Sequence, residues 1–393
     1  MNRLKGGIMI QKAERLSNVK EYYFSKKLRE VAALRKEGKQ IINMAIGSPD
    51  LPPPNAVIKA LTETANTKVA HQYQSYQGIP ELREAIANFY LKHYHVTLDS
   101  NQEILPLMGS KEGIMHISMA FLNKGDSVLI PDPGYPSYAS VSKLMQANII
   151  TYDLSESNNW LPNYKEIEKQ DLKGVKMMWL NYPHMPTGTN ATKEHFKEAV
   201  AFAKKHDIML VNDNPYSFIL NDNPLSILKT EGAQDVAIEL NSLSKSFNMA
   251  GWRVGMVVGK DEIIKSILQV KSNMDSGMFL GIQKGAVEAL NCSKEWFKEL
   301  NKTYIKRRKI VWEIFDILGC SYNKESAGLF VWAKLPKGRS AMEYTDQLLK
   351  EKEVFMTPGS IFGKNGEDYI RASLCVSEAD LDTVLQRLTG LKH

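Results

Sequence analysis

One stretch near the middle of the chain combines an amine, hydroxyl groups and a guanidinium. Residues 242–255 place Lys245 among the serines at 242, 244 and 246, and Arg253 follows eight positions later beside glycines. A neutral lysine amine can condense with an aldehyde, and desolvation or nearby positive charge lowers its pKa toward that state. Serine hydroxyls and an arginine fork suit a phosphate. Taken alone, the stretch fits a solvated lysine in an ordinary turn equally well.

The elements that would position these groups alternate between strands and helices from residue 103 to residue 259. The predicted strands are Ile104–Met108, Ser127–Ile130, Ile149–Tyr152, Val175–Leu180, Ile208–Asn212, Val236–Leu240 and Val254–Val258. Helical patterns lie between most of them, which predicts βαβ units and a mostly parallel, buried sheet. Ligands in such sheets bind at the carboxyl ends of the strands, so the residues that follow each strand are site candidates.

Chemically useful residues stand at several of these strand ends. They are Ser110, Lys111, Tyr135, Asn181, Asp213 and Tyr216. Ser110 and Lys111 open a helix after Gly109, where free N–H groups can bind an anion, although an ordinary capped helix fits equally. Asp213 ends a strand with the Tyr216 phenol three residues on. These residues could therefore converge on one ligand.

Three further candidates lie outside this alternating region. Gly47 stands in a proline-rich turn, where it either allows the turn or lets backbone approach a ligand. Tyr73 belongs to an aromatic loop before a helix that has proline in its first turn, and plain packing is its simpler interpretation. Arg371 lies in a predicted strand, an uncommon place for a charge without a partner. A helix over residues 19–37 precedes these, and a small α+β unit, including a strand Val354–Thr357, closes the chain.

Composition sets the broad class. The chain has 393 residues, 43% hydrophobic and 24% charged, as in soluble globular proteins. Its net charge of +6 has no basic block, so we expect small ligands and no nucleic acid. Cys292, Cys320 and Cys375 form no disulfide framework, which indicates a reducing cytoplasm. No run is apolar enough to span a membrane, residues 6–10 are too short for a signal-peptide core, and Met9 is an alternative start.

Together these motifs resemble the class I/II aminotransferases, the fold-type I enzymes of pyridoxal phosphate, over nearly the whole chain. The matching positions are Tyr73-x4-Gly78, Gly109-Ser110-Lys111, Tyr135, Pro186-Thr187-Gly188, Asp213-x2-Tyr216, Ser242-x-Ser244-Lys245, Arg253 and Arg371. The resemblance implies an α/β fold with a large cofactor-binding domain, residues 46–292, built on a mostly parallel seven-stranded sheet. Residues 1–45 and 293–393 would form a smaller α+β domain.

The resemblance also implies roles for the site residues. Lys245 would hold pyridoxal phosphate as an imine and then move the proton between the substrate Cα and the cofactor. Asp213 would keep the pyridine nitrogen protonated. Tyr216 would donate to the phenolic oxygen and Tyr135 would stack on the ring, with Asn181 also contacting the cofactor.

The remaining implied roles concern the phosphate and the substrate. Ser110, Lys111, Ser242 and Arg253 would hold the phosphate. Tyr73 would reach the phosphate of a neighbouring subunit, which implies a homodimer with composite sites. Arg371, helped by backbone near Gly47, would bind the substrate α-carboxylate. No metal is expected.

The expected reaction moves an amino group between an L-amino acid and a 2-oxo acid, with 2-oxoglutarate expected from the family, by a ping-pong mechanism. A carbon–sulfur β-lyase is an alternative, because the same cofactor supports several reactions. A non-catalytic regulatory module is a further alternative, disfavoured because no DNA-binding segment is visible and Lys245, Asp213 and Arg371 are all present.

Two positions depart from the family pattern. Met185 replaces the asparagine that usually precedes Pro-Thr-Gly and donates to the phenolic oxygen. We therefore expect the imine to keep its proton to higher pH than is usual, with compensation by His184 or Asn181 left open. Residues 273–279 contain no arginine for a side-chain carboxylate and are similar to the LL-diaminopimelate branch. This favours a substrate other than aspartate, although lysines elsewhere could serve an acidic side chain.

Overall fold

The fold was analysed in a computed structural model, which describes residues 11–389. The expectations about a signal peptide and about Met9 as a start lie outside these residues. Within them, no helix combines the length and the apolar composition that crossing a bilayer requires.

The described chain contains thirteen strands and thirteen α-helices. The strands are β1 (Ile42–Asn43), β2 (Ile104–Leu107), β3 (Ser127–Asp132), β4 (Asn148–Asp153), β5 (Val175–Leu180), β6 (Met209–Asp213), β7 (Ala237–Ser242), β8 (Gly255–Val258), β9 (Ser321–Tyr322), β10 (Phe330–Lys334), β11 (Val354–Phe355), β12 (Thr357–Pro358) and β13 (Tyr369–Ser373). The helices are α1 (Tyr23–Lys36), α2 (Asn55–Ala65), α3 (Pro80–Tyr94), α4 (Ser110–Phe121), α5 (Pro136–Leu144), α6 (Tyr164–Ile167), α7 (Lys193–His206), α8 (Leu243–Ser246), α9 (Asp261–Lys271), α10 (Leu280–Leu290), α11 (Lys294–Ile317), α12 (Ala341–Lys352) and α13 (Glu378–Leu388).

The large sheet has the order β2-β8-β7-β6-β5-β3-β4. Strand β8 runs antiparallel to β2 and β7, and the other neighbours are parallel. The predicted α/β fold with a mostly parallel seven-stranded sheet is therefore confirmed. All seven predicted strands form, with ends displaced by no more than two residues. Continuous apolar runs mark strands buried on both faces, and the exception is β4, which lies at the edge of the sheet and is largely exposed.

Several predicted boundaries were wrong. The predicted strand Val354–Thr357 is two short strands, because β11 pairs with β1 whereas β12 pairs with β13. Pro358 has no N–H to donate, which suits β12 to the edge position that it occupies. The first helix begins at Tyr23 rather than at residue 19. Helix α2 was not predicted, because the prolines at 52–54 that precede it indicated only a turn.

Three hydrophobic clusters form the core. One joins α3, α7 and α10 to the large sheet, and a second joins α4, α5 and α9 to it. The third packs α1, α11, α12 and α13 around β10 and β13. The division of the chain at residues 46 and 292 stays a prediction.

Candidate active site

A cavity of about 500 Å³ is lined by nearly all the site residues predicted from the sequence. Its lining includes Gly47, Ser110, Lys111, Tyr135, Asn181, Asp213, Tyr216, Ser242, Lys245, Arg253 and Arg371. Most of them follow strands β2, β3, β5, β6 and β7, whose carboxyl ends meet at one edge of the sheet. Tyr73 is the exception, because it lies outside the lining and the residue is 92% exposed.

Lys245 lies in the short helix α8, directly after β7, and its Nζ donates a hydrogen bond to the carbonyl oxygen of Gly47. Burial lowers the pKa of Lys245; the nearby Cys375 thiol opposes this, and the charges of Arg371 and Arg253 lower the pKa further. A larger fraction of the amine is therefore neutral, which is the form that attacks a carbonyl carbon.

Asp213 ends β6 and is buried. Its Oδ2 accepts a hydrogen bond from the Tyr138 hydroxyl at 2.8 Å, whereas its Oδ1 has no hydrogen-bond partner among the described residues. Burial raises the pKa of Asp213 to about 7; the bond from Tyr138 opposes this rise, and the Glu239 carboxylate adds to it. An unpartnered buried carboxylate oxygen is costly, so the site suits a ligand that brings a positively charged N–H group.

The opposite end of the cavity suits an anion. Helix α4 begins at Ser110, which lines the cavity together with Arg253 and Ser242, and the first N–H groups of a helix are free to bind an anion. Gly109 precedes α4 with a φ of +88°, and a side chain there would collide with the guanidinium of Arg253. Arg253 is itself fixed by a hydrogen bond of 2.8 Å to the Ala250 carbonyl oxygen. A helix terminus and a guanidinium held this close together can bind a phosphate.

Arg371 lies in β13 with 4% of its surface exposed. Its Nη2 donates to the Ala45 carbonyl oxygen at 2.8 Å, and its Nη1 lies 3.0 Å from the Met185 sulfur, a weak acceptor. Nε has no partner, and no carboxylate of the described chain pairs with this cation. Burial lowers the pKa of Arg371 to about 10. An unpaired buried guanidinium favours a ligand carboxylate.

Sequence reasoning missed the residues that hold these groups in place. Tyr138, one helical turn after Tyr135, is the hydrogen-bond donor to Asp213, and its spacing was the only available signal. Phe330 lies directly against Gly47, where any side chain would collide with its ring. The two interpretations of Gly47 were therefore incomplete, since the glycine is also required for packing.

The two residues proposed to replace the missing asparagine are placed differently. Asn181 lines the cavity, donates to the Asp213 carbonyl oxygen at 2.6 Å and accepts from the Met185 N–H at 2.9 Å. His184 is absent from the cavity lining, its Nδ1 lies 2.8 Å from the Thr187 hydroxyl, and burial lowers its pKa to about 3. Of the two, only Asn181 faces the cavity, and one of its two N–H groups is already used.

Comparison with known proteins bears on this cavity. The model of the family "Aminotransferase class I and II" matches residues 39–388. An LL-diaminopimelate aminotransferase of Dehalococcoides mccartyi is 40% identical over 382 residues, which are 97% of this chain and 98% of that protein. One of Maridesulfovibrio salexigens is also 40% identical, covering 96% of this chain and 98% of its own. The solved structure of apo-BacF from Bacillus subtilis superposes with a TM-score of 0.94 at 35% identity, covering 98% and 99% of the two chains.

Proposed function

The chain belongs to the class I and II aminotransferases, and from this premise we propose that it binds pyridoxal phosphate in the cavity around Lys245. It is an aminotransferase, as predicted, and the fold-type I architecture is confirmed by its relatives. The comparisons do not favour the carbon–sulfur β-lyase or the non-catalytic module. We propose an L-amino acid as donor and 2-oxoglutarate as acceptor.

One observation carries the assignment of the cofactor. The amine of Lys245, the unpartnered Oδ1 of Asp213 and the anion-binding end at Arg253 lie around one cavity. When bound, pyridoxal phosphate supplies an aldehyde for covalent attachment and a cationic ring that stabilises negative charge at the substrate Cα. Asp213 would hold the ring N–H, Tyr216 and Asn181 would face the phenolic oxygen, and Tyr135 would lie on the ring.

The phosphate would be held by the N–H groups of Ser110 and Lys111, the Ser242 hydroxyl and the Arg253 guanidinium. Ser242 already orders this region, because its Oγ accepts from the Ser244 N–H at 3.0 Å and donates to the Ser244 hydroxyl at 2.8 Å. The N–H groups of α4 and the Arg253 guanidinium are held in place before a dianion binds, whereas the single hydroxyl proton of Ser242 would have to turn from Ser244 toward the phosphate.

The protein's own residues would then act on the substrate. Arg371 binds its α-carboxylate bidentately and so fixes the position of Cα relative to Lys245. Lys245, with its lowered pKa, would remove the proton from Cα as a general base and, as a general acid, give it to the cofactor rather than back to Cα. The rings of Phe24, Phe330 and Phe362 beside Arg371 would reduce the contact of water with this part of the site, which would help to keep the proton on the lysine between the two transfers.

We further propose a homodimer in which Tyr73 reaches the phosphate of the partner's site. Tyr73 is 92% exposed, and Val69 and Tyr76 nearby are also exposed large hydrophobic residues. Exposed apolar residues grouped on one segment favour an interface. The separate hydrophobic cluster around α11 to α13 supports a small domain of residues 1–45 and 293–393 beside a large domain of residues 46–292. A cytoplasmic location is part of the same proposal.

The test is a stopped-flow screen of amino acids against the purified holoenzyme, following the change of the cofactor's visible band. We expect at least one amino acid to convert the band and 2-oxoglutarate to reverse the conversion. Lys245→Ala is the control, which should retain the phosphate-binding residues but carry no adduct after borohydride reduction. Release of pyruvate from cystathionine without any such conversion would show that the protein is a lyase.

A further inference from the structure

The lining of the cavity around Arg371 is largely apolar. The guanidinium carbon of Arg371 lies 3.7 Å from the ring centre of Phe330, 4.6 Å from that of Phe362 and 5.9 Å from that of Phe24. If Arg371 binds the α-carboxylate and Lys245 acts at Cα, the lining that remains available to the substrate side chain includes these three rings.

Helix α1 completes this apolar wall. Phe24 and Leu28 are four residues apart, so they lie on one face of α1, and both line the cavity with the neighbouring Tyr22. Lys27 anchors the helix, because its buried ammonium pairs with Asp346 of α12 at 2.7 Å. The apolar face of α1 is therefore held against the cavity by contacts that lie outside it.

The charged residues of the lining offer few partners for a charge at the far end of the substrate side chain. They are Lys111, Asp213, Lys245, Arg253 and Arg371. Asp213 is the one acidic residue among them, and it faces the proposed cofactor, so a distal ammonium group would find no carboxylate in the described lining that one subunit contributes. Burying such a charge without a partner is strongly unfavourable.

Lys111 is the one lining cation whose side chain has no assigned role. Its Nζ lies 4.7 Å from the ring centre of Tyr22 and has no carboxylate partner within the described chain. A distal carboxylate, such as that of 2-oxoglutarate as acceptor, would meet only this group, and would have to draw it away from the ring. A large apolar side chain requires no such change and gains free energy by covering Phe24, Leu28 and Phe330.

We propose that the amino donor is an amino acid with a large apolar side chain, aromatic above all, and that Phe24 and Leu28 determine this preference. The inference rests on the proposed function, since it uses Arg371 as the site of the α-carboxylate. It differs from what the names of the relatives suggest, because LL-diaminopimelate carries a distal ammonium and a distal carboxylate.

The experiment measures the rate constant with which each amino acid converts the cofactor band of the holoenzyme, without any acceptor. The panel is L-phenylalanine, L-leucine and L-methionine against L-aspartate, L-lysine and LL-diaminopimelate, with L-alanine as the small reference. We expect L-phenylalanine to exceed the three charged amino acids by about 10-fold or more.

Two matched variants test whether the apolar face of α1 determines the substrate preference. Leu28 is 39% exposed at the mouth of the cavity, so Leu28→Gln should fold and should lower the phenylalanine-to-alanine ratio by about 3- to 10-fold. Leu91, in α3 and 51% exposed, lies outside the cavity, and Leu91→Gln should leave that ratio unchanged.

Three results would contradict parts of this proposal, and they can be distinguished from one another. Faster conversion by L-aspartate, L-lysine or LL-diaminopimelate than by L-phenylalanine would overturn the apolar preference and leave the proposed function intact. An unchanged ratio in Leu28→Gln would overturn the role of α1. Conversion by no amino acid in the panel would overturn this inference, and conversion by no amino acid at all, L-glutamate included, would overturn the proposed function as well.

Discussion

Replacing Asp213 by asparagine should stabilise the cofactor-free protein while removing its activity. Oδ1 of Asp213 is buried and has no partner in the described chain, whereas Oδ2 accepts from Tyr138. An asparagine oxygen can still accept that hydrogen bond. The substitution therefore removes a buried negative charge that is stabilised only when a cationic ring is bound beside it.

The size of the effect follows from the pKa of Asp213. Burial raises this pKa from 3.8 to about 7. Between these values the folded state keeps a proton that the unfolded state has released, so rising pH favours unfolding. The cost accumulates from about pH 4, reaches about 2 kcal/mol at pH 5 and is at most about 4 kcal/mol above pH 7. Asp213→Asn removes this pH-dependent cost.

The assay is urea unfolding of the cofactor-free proteins at pH 5 and pH 8, followed by tryptophan fluorescence at one protein concentration. The free energy of unfolding of Asp213→Asn, relative to wild type, should rise by about 2 kcal/mol between the two pH values. Saturating pyridoxal phosphate should reverse the order of stability, because only wild type can pair its carboxylate with the ring. Asp222→Asn, at an exposed aspartate, is the matched control and should show neither effect.

A pH-independent difference between Asp213→Asn and wild type would refute the reasoning. It would mean that the folded carboxyl group ionises as it does in the unfolded chain, and that Oδ1 is hydrated or paired in solution. Retention of wild-type turnover by Asp213→Asn would separately contradict the role of the carboxylate toward the ring nitrogen.

Four further outcomes are expected. Lys245→Ala should lower the rate of the amino-acid half-reaction by about 10³-fold or more, measured by stopped flow, because the other lysine of the described lining, Lys111, has its Nζ over the Tyr22 ring. Arg371→Gln should lower kcat/KM for the amino acid by about 10- to 100-fold without weakening cofactor binding by equilibrium dialysis. Gly109→Ala should weaken cofactor binding, since its side chain would displace the guanidinium of Arg253. Met185→Asn should lower the pH at which the bound cofactor's visible absorbance titrates, because it adds a donor to the phenolic oxygen.

The sequence by itself determined the sheet and the order of the groups along its edge. Apolar runs that alternate with helical patterns indicate buried parallel strands, and the carboxyl ends of parallel strands meet at one edge of the sheet. Residues as distant in sequence as Ser110, Asp213 and Lys245 could therefore be expected in one cavity from the sequence alone. The signal was the position of each residue at the end of its own strand or shortly after it.

Only the tertiary structure decided what surrounds those groups. Phe24 and Phe330 are more than 300 positions apart in sequence, yet both lie beside Arg371. Two other contacts likewise join separate elements. The Tyr138 hydroxyl donates to Oδ2 of Asp213, and Phe330 packs on Gly47. Periodicity shows which face of an element is buried, but the partner of that face depends on long-range packing. Asp213 and Arg371 could thus be identified locally, whereas their burial, and the ligand chemistry that burial favours, depended on the whole fold.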